Sequence, residues 1–248
     1  MMATLAHICR HPIKAHSRED LLSVLLTAGQ SLPFDRQWAV AHDAAKLVAG
    51  WNPCVNFARG AKAPGLMAIS AKLDEASGAV TLMHPAKPNL TFRPDDADDL
   101  ARFLDWVRDL NPADRAQPAQ IVKAGIAMTD TDFPSVSIFG LGSNRDLSAR
   151  MGQDLSPNRW RGNLWVDGLA PWAEFDWVGR DVQIGGAVLH VQERIVRCKA
   201  TSANPSTGQI DADTLGALQS GFGHQEFGVY ARVISGGMVA VSDGVTVL

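Results

Sequence analysis

The feature that most restricts the fold is a series of short apolar runs that alternate with turn-forming residues. Runs rich in Val, Ile, Leu and Phe with such boundaries are typical of β-strands. Gly-Gly pairs at residues 185 and 236 and a Ser-Asp-Gly turn at 242 separate several of them, as hairpins require. The pattern predicts a mainly β protein of the barrel or sandwich type. The clearest runs are residues 79–85, 135–140, 187–196, 227–234 and 245–248.

A few helices are expected to interrupt the strands. Residues 95–111 repeat apolar side chains at helical spacing after an acidic first turn, so one face should pack and the other should be solvated. A second, shorter helix is expected to begin at Ser143, whose hydroxyl is a candidate N-cap, and to stop at Gly152. A third is expected over residues 211–220, after an aspartate cap. The predicted fold class is therefore mainly β with a few helices, or α+β.

The chain has 248 residues, enough for one large domain or two modest ones. Residues 111–120, a polar stretch rich in Pro and Ala, are expected to form a linker or a crossing loop. We place a domain boundary there, which divides the chain into residues 1–115 and 116–248. Hydrophobic residues make up 46% and charged residues 20%, as in an ordinary soluble globular protein.

Charge and hydropathy argue against two classes of partner. The formal net charge of -3 gives no general attraction to nucleic acid or to anionic lipid. His7, Arg10 and His11 interrupt the apolar stretch that a secretory signal needs, and no run of about 18 apolar residues occurs. We therefore expect a cytoplasmic protein with no nucleic-acid partner and no membrane contact.

The cysteine pattern points to reduced thiols. Cys9, Cys54 and Cys198 are far apart and odd in number, which does not fit a disulfide framework. There is no C-x-x-C spacing for zinc or for an iron–sulfur cluster, and the seven histidines show no ligand spacing. If the protein needs electrons, another protein has to bring them.

Cys198 has the most suggestive surroundings of the three. It lies between Arg197 and Lys199, just before the turn-rich segment "SANPSTG". A thiolate is the nucleophile and the metal ligand, and neighbouring cations favour it. The alternative is a small buried apolar residue with no chemical role, and composition does not decide between the two.

The chain resembles a known family in segments that cover nearly its whole length. "NRWRGNLWVDGLAPWAEFDW", "RCKATSANPSTGQID" and "FGVYARVISGGMVAVSDGVTVL" resemble, in order and spacing, the MOSC domain, named for the C-terminal part of molybdenum-cofactor sulfurases. "HPIKAHSREDLLSVLLTAGQSLPFDRQWAV" resembles the N-terminal β-barrel domain that precedes MOSC in the amidoxime-reducing component and its bacterial relatives. The resemblance implies a MOSC-type β-barrel preceded by an N-terminal β-barrel-like domain.

The resemblance also implies a cofactor and a set of site residues. In the family the cysteine equivalent to Cys198 either ligates molybdenum of the pterin cofactor, molybdopterin, or carries sulfur as a persulfide. A soft thiolate suits both roles. The resemblance and the neighbourhood of the cysteine give these candidate cofactor contacts: Lys14, Arg36, Ser143, Arg161, Asn163, Arg197 and Thr201.

The implied function is a molybdenum-cofactor oxidoreductase that reduces N-hydroxylated or N-oxide-type small molecules, with electrons from a separate flavin or iron–sulfur protein. One alternative is a persulfide carrier loaded by a separate cysteine desulfurase, since no pyridoxal phosphate domain is expected in this chain. Another is a non-catalytic protein that binds the pterin cofactor. The chain departs from many relatives at Ala15, Gly162 and Ile195, where serine, proline and a second cysteine are common. The last change speaks against a disulfide relay between residues 195 and 198.

Overall fold

A computed structural model describes residues 2–123 and 125–248. Within these residues the chain is mainly β with three α-helices, which confirms the expected fold class. The strands are β1 Thr4–Arg10, β2 Glu19–Leu21, β3 Ser23–Leu26, β4 Ala39–His42, β5 Ser70–Asp74, β6 Ala79–His84, β7 Lys87–Phe92, β8 Pro118–Val122, β9 Val136–Gly140, β10 Leu164–Asp167, β11 Asp181–Ile184, β12 Ala187–Val196, β13 Glu226–Ser235, β14 Gly237–Ala240 and β15 Val245–Val247. The helices are α1 Ala97–Arg108, α2 Leu141–Met151 and α3 Thr214–Phe222. All five predicted strands are confirmed.

The largest sheet has eight strands in the order β15-β11-β12-β13-β9-β10-β1-β2. Its centre comes from the C-terminal half of the chain, yet β1 and β2 from the N-terminus complete it. β3 pairs with β14, and β4 pairs with β8, so both pairs also join distant parts of the chain. Strand pairing therefore crosses the predicted boundary at residues 115/116 three times.

The two faces of the large sheet pack against different cores because successive residues of a strand point to opposite sides. On β9, Ile138 faces an aliphatic core, whereas Phe139 faces an aromatic cluster. On β10, Val166 faces the aliphatic core and Trp165 faces the aromatic cluster. The aromatic cluster lies under α2 and α3 and includes a close stack of Trp160 on Phe227, with ring centroids 3.9 Å apart.

Strands β5, β6 and β7 form a meander on which α1 packs. The helix buries Phe103 and Val107, which belong to the predicted apolar face, and also Trp106. It begins after Asp96, whose carboxylate accepts a hydrogen bond from the amide of Asp98. In residues 2–123 and 125–248 no helix is long and apolar enough to cross a membrane.

Two local predictions need correction. The second helix starts at Leu141 rather than at Ser143, so Ser143 lies inside its first turn and does not cap it. The stretch 111–120 is not a linker throughout, since Pro118–Val122 pairs with β4 as strand β8. Polar residues are compatible with an edge strand because one of its faces is solvated.

Candidate functional site

A cleft of about 310 Å³ opens at the end of β12, where several loops converge. Six cations line it together with one carboxylate, Asp130: they are Lys14, Arg36, Arg59, Arg159, Arg161 and Arg197. Two thiols, Cys54 and Cys198, also line it. A second hollow of about 470 Å³ lies beside Phe34 and Phe133, and the described residues that line it include no thiol and a single cation, Lys123. The chemistry of the lining therefore makes the smaller cleft the candidate site.

Cys198 follows the last residues of β12 and is exposed. The alternative that it is a buried apolar residue is therefore wrong. A 3-10 turn, Lys199–Ser202, begins directly after it, and its carbonyl accepts hydrogen bonds from the amide of Thr201 at 3.2 Å and from the Thr201 hydroxyl at 3.0 Å. Of the two flanking cations, Arg197 lines the cleft, whereas Lys199 is exposed and does not.

Thr201 does not line the cleft but fixes the turn that carries Cys198. Its side chain is fully buried, and its hydroxyl lies 2.6 Å from that of Thr214, the first residue of α3. The turn is thus tied to the helix that follows it. Thr201 therefore holds the backbone of Cys198, which is a different role from the predicted contact with a cofactor.

Arg36 is held in the cleft wall by three acceptors. Its guanidinium contacts the buried carboxylate of Asp35 and donates to the carbonyl of Arg161 at 2.7 Å and to Asn163 Oδ1 at 3.4 Å. Burial by itself would lower the pKa of Arg36, but the Asp35 carboxylate raises it above its usual range. The planar fork is therefore charged and oriented before any ligand arrives.

Asn163 is 2% exposed and lies beneath Arg36 rather than in the cleft. Its Oδ1 accepts from the amide and the hydroxyl of Ser137, at 3.1 and 2.8 Å, and its Nδ2 donates to the carbonyl of Cys9 at 3.2 Å. These bonds connect β9 with β1. The predicted pterin contact is in this structure a bridge between strands.

Lys14 lines the cleft, but its three donors already have acceptors. Nζ donates to the carbonyls of Met128 and Thr129, at 2.7 and 3.2 Å, and to Asp130 Oδ1 at 2.6 Å. Lys14 thereby holds the 128–130 segment against the cleft. Desolvation works against ionisation of Asp130, yet Lys14, followed by Arg36, lowers its pKa below the usual range.

Two arginines in the cleft have donors without a partner. In the described residues, the buried Nε atoms of Arg159 and Arg197 make no hydrogen bond. Arg197 donates through Nη2 to the carbonyl of Trp160 at 2.6 Å, and Arg159 pairs with Asp211 at 2.6 Å. A buried donor that lacks an acceptor is costly, so these two atoms are suited to an anionic or polar ligand.

The cations also act on one another. Burial, followed by the charges of Arg36 and Arg18, lowers the pKa of Arg161 to about 9. Arg161 donates to the carbonyl of Ser17 at 3.0 Å, which holds it in the wall. An anion in the cleft would relieve this repulsion, because opposite charge stabilises a buried cation.

The backbone around the cleft is strained at three lining residues. Ala15, Arg36 and Arg161 have φ angles of 63°, 49° and 52°, in the left-handed region that L-residues seldom adopt. Such conformations persist where surrounding contacts impose them, and they cluster at functional sites. Here the bond from Arg36 to the Arg161 carbonyl joins two of the strained residues directly.

Ser143 does not line the cleft, so the structure does not bring it together with the other predicted cofactor contacts. It is fully buried, and its hydroxyl donates to the Glu174 carboxylate at 2.7 and 2.8 Å. The same carboxylate accepts from the amide of Gly140 at 3.3 Å. The Glu174 side chain thus occupies the place at the start of α2 where an anionic ligand would otherwise bind. Burial raises the pKa of Glu174.

Two family models match almost the whole chain. The MOSC N-terminal beta barrel domain matches residues 2–120, and the MOSC domain matches residues 130–246. The chain belongs to the MOSC family. Members of this family are often enzymes associated with the molybdenum cofactor. Each matched region contributes to the cleft, the first through Lys14 and Arg36 and the second through Arg161 and Cys198.

The solved structures that match the chain are distant in sequence. YuaD from Bacillus subtilis shares 12% identity, with 100% of this chain and 96% of that chain covered and a TM-score of 0.49. YiiM from Geobacillus stearothermophilus shares 16% and YiiM from Escherichia coli 17%, each over 46% of this chain and 53% of that chain, with TM-scores of 0.36 and 0.34. No curated protein sequence matches the chain.

The cleft of this MOSC protein has the features that a phosphate-bearing metal cofactor requires. Its volume lies at the lower end of the range of roughly 300–1,000 Å³ for small-molecule sites. Among the described residues, the buried Nε atoms of Arg159 and Arg197 have no acceptor, which an anionic ligand would supply, and the exposed Cys198 sulfur can reach a soft metal. The residues present therefore fit the group that the family implies.

Sequence reasoning missed several lining residues. Arg159 stands two positions before Arg161 in the quoted "NRWRGN" segment. This short spacing could have indicated that both arginines line the same site. Cys54, Arg59 and Asp130 lie outside the segments that carry the resemblance to the family. No local pattern marks them, because only the packing of loops distant in sequence brings them to the cleft.

Proposed function

We propose that the protein binds a molybdenum–pterin cofactor in the basic cleft, with Cys198 as the protein ligand of the metal, and that it reduces N-hydroxylated or N-oxide-type small molecules. The observation that carries the proposal is an exposed thiol in a cleft lined by six cations and a single carboxylate. A thiol alone would support many functions. The combination of a soft ligand with several cations suits a soft metal on an anionic carrier.

Each residue would have a distinct task. Cys198 would hold the metal, and its turn would keep its position through the bonds of Thr201. Arg159 and Arg197 would bind the anionic part of the cofactor through their unpartnered donors, and Arg36 would act as a fixed charge. The bound group would supply a redox-active metal, while the chain would orient the substrate and exclude water.

The stoichiometry of the proposed reaction determines how many electrons a partner protein has to supply. Reduction of an N-hydroxylated nitrogen to the amine breaks the N–O bond, consumes two electrons and two protons, and releases one water. In residues 2–123 and 125–248 no cluster of three or more His, Cys, Asp or Glu side chains could hold a metal ion. We propose that a separate flavin or iron–sulfur protein supplies the electrons, as the family resemblance implies. We also propose a cytoplasmic location.

Metal and pterin analysis tests the proposal. Wild-type protein made in a host that synthesises the cofactor should contain close to one molybdenum and one pterin per chain, and should reduce an aromatic hydroxylamine when a reduced viologen dye supplies electrons. Cys198→Ala should lose most of the metal and the turnover. Cys54→Ser is the matched control because it removes the other thiol of the cleft, and it should retain both.

Two results would overturn the proposal. Folded wild-type protein without metal from such a host would remove its basis. Tight cofactor binding that survives Cys198→Ser, without turnover of any hydroxylamine, would instead support a non-catalytic protein that binds the cofactor.

A second candidate is a persulfide carrier. The exposure of Cys198 at the end of a strand favours it, because the sulfur is open to a partner protein. Incubation with a cysteine desulfurase and free cysteine should then add the mass of one sulfur atom to the peptide that contains Cys198. An unchanged mass would favour the metal ligand.

A further inference from the structure

The cleft contains a second thiol that the proposed function does not use. Cys54 lines it together with Cys198 and is partly exposed. The third cysteine, Cys9, is 3% exposed in the aromatic cluster beneath the sheet and donates to Asp20 Oδ1 at 3.2 Å. Two of the three cysteines therefore share one solvent-accessible space, although they are 144 positions apart in the sequence.

The segments that carry the two thiols come close to each other at one point. An ideal Cβ built on the Gly60 backbone would stand 3.4 Å from the Cβ of Ala200, so the Gly60 backbone lies near Ala200. Gly60 lies six residues after Cys54, and Ala200 lies two residues after Cys198. Both segments also contribute side chains to the lining of the cleft.

A hydrogen bond holds the Cys54 sulfur in this region. Arg59 Nη1 donates to Cys54 Sγ at 3.2 Å, and the Arg59 side chain itself lines the cleft. Cys54 begins a single 3-10 turn, Cys54–Asn56, and Cys198 immediately precedes another, Lys199–Ser202. Single 3-10 turns have few internal hydrogen bonds, so small rotations of either turn are inexpensive compared with movement of a strand.

We propose that Cys54 is the partner thiol of Cys198, and that a peroxide converts the pair into a reversible disulfide. The exposed Cys198 sulfur would attack one oxygen of hydrogen peroxide, which breaks the O–O bond, forms a sulfenic acid and releases water. The Cys54 sulfur would then attack the oxidised sulfur, form the S–S bond and release a second water. The two thiols lose two electrons and two protons, and the peroxide is reduced to two waters.

The disulfide would protect the cleft from damage that cannot be reversed. A sulfenic acid without a nearby thiol is oxidised further to sulfinic acid, which ordinary thiols do not reduce. A disulfide instead returns to two thiols by exchange with a dithiol reductant. The protection of a metal ligand rests on the proposed function, whereas the formation of the disulfide does not.

The test uses cofactor-free protein and counts free thiols after denaturation. Hydrogen peroxide should reduce the number that an alkylating reagent labels from three to one in the wild type, with the loss of two hydrogens in the intact mass, and dithiothreitol should restore all three. The remaining labelled residue should be Cys9. Cys9→Ser is the matched control, because it removes a buried cysteine and should still form the disulfide.

In Cys54→Ser, peroxide should produce a sulfenic acid on Cys198 that dimedone traps and that progresses to sulfinic acid. If the wild type shows the same progression at the same rate, or forms a disulfide only between two chains, the inference is wrong. Metal content separates this outcome from failure of the proposed function. Cys54→Ser should retain molybdenum whatever its peroxide chemistry, whereas a metal-free wild type would refute the cofactor proposal and leave the thiol result unaffected.

Discussion

Replacement of Asp35 by Asn tests whether the site depends on a buried ion pair. Asp35 is 1% exposed, contacts the Arg36 guanidinium, and accepts from the His11 amide at 2.7 Å. Removal of one partner of a buried pair costs about 3–5 kcal/mol. Arg36 retains the Arg161 carbonyl and the Asn163 side chain as acceptors, so we expect the lower end, about 3 kcal/mol of unfolding free energy at pH 7.

The effect should depend on pH in a defined direction. Burial by itself would raise the pKa of Asp35, but the charge of Arg36, aided by His11, lowers it in the folded protein. A carboxyl with a lowered folded pKa stabilises the protein above its unfolded pKa of about 3.9, and this contribution disappears as the pH falls through the folded value. The difference between wild type and Asp35→Asn should therefore be the same at pH 7 and pH 5 and should shrink below about pH 4.

Urea unfolding followed by tryptophan fluorescence measures this difference, since the chain has seven tryptophans. Asp105→Asn is the matched control. It makes the same change in the Asp105–Arg108 ion pair, whose side chains are 75% and 66% exposed, so it should cost less than about 1 kcal/mol. A loss below about 0.5 kcal/mol for Asp35→Asn, or an equal loss for Asp105→Asn, would refute the assignment of Asp35 as the main support of Arg36.

Two further substitutions probe the frame of the cleft. Thr201→Val should lower the unfolding free energy by about 1–3 kcal/mol and reduce metal content, because it leaves the buried Thr214 hydroxyl without a partner; wild-type stability by urea unfolding would contradict this. Gly162→Ala should cost about 1–3 kcal/mol in the same assay, because its Cβ would lie 2.3 Å from Phe139 Cδ2. Gly244→Ala, where a Cβ meets nothing within 4 Å, should be close to neutral, and equal losses at both glycines would refute the steric explanation.

The relation between sequence and structure differs from element to element. The strand patterns along β12 and β13 predict the centre of the large sheet, because alternation and turn residues act locally. The sequence predicts Ser143 as the N-cap of α2, and this prediction is wrong. A serine near the start of a helix gives the same local pattern whether its hydroxyl caps the helix or donates to a carboxylate. Glu174, the carboxylate in question, lies 31 positions away in the chain.

Some residues of the candidate site can be predicted from sequence motifs, and others cannot. Arg161 and Cys198 each lie within a quoted motif, so sequence comparison can find them, because the residues of a motif are close together and ordered in the sequence. Cys54 and Asp130 carry no such signal, since the residues next to them in the sequence do not indicate that both side chains line the same cleft. Likewise, nothing in the composition indicates that the donors of Lys14 are satisfied by a segment more than a hundred positions later.

The sequence alone determined the class of fold, the family, and the thiol that deserves testing, because periodicity and short motifs are properties of neighbouring residues. Tertiary structure decided that Cys198 is exposed among cations, that Ser143 faces a buried carboxylate, and that β1 joins the C-terminal sheet. The physical reason is that burial, ion pairing and strand order depend on contacts between distant parts of the chain.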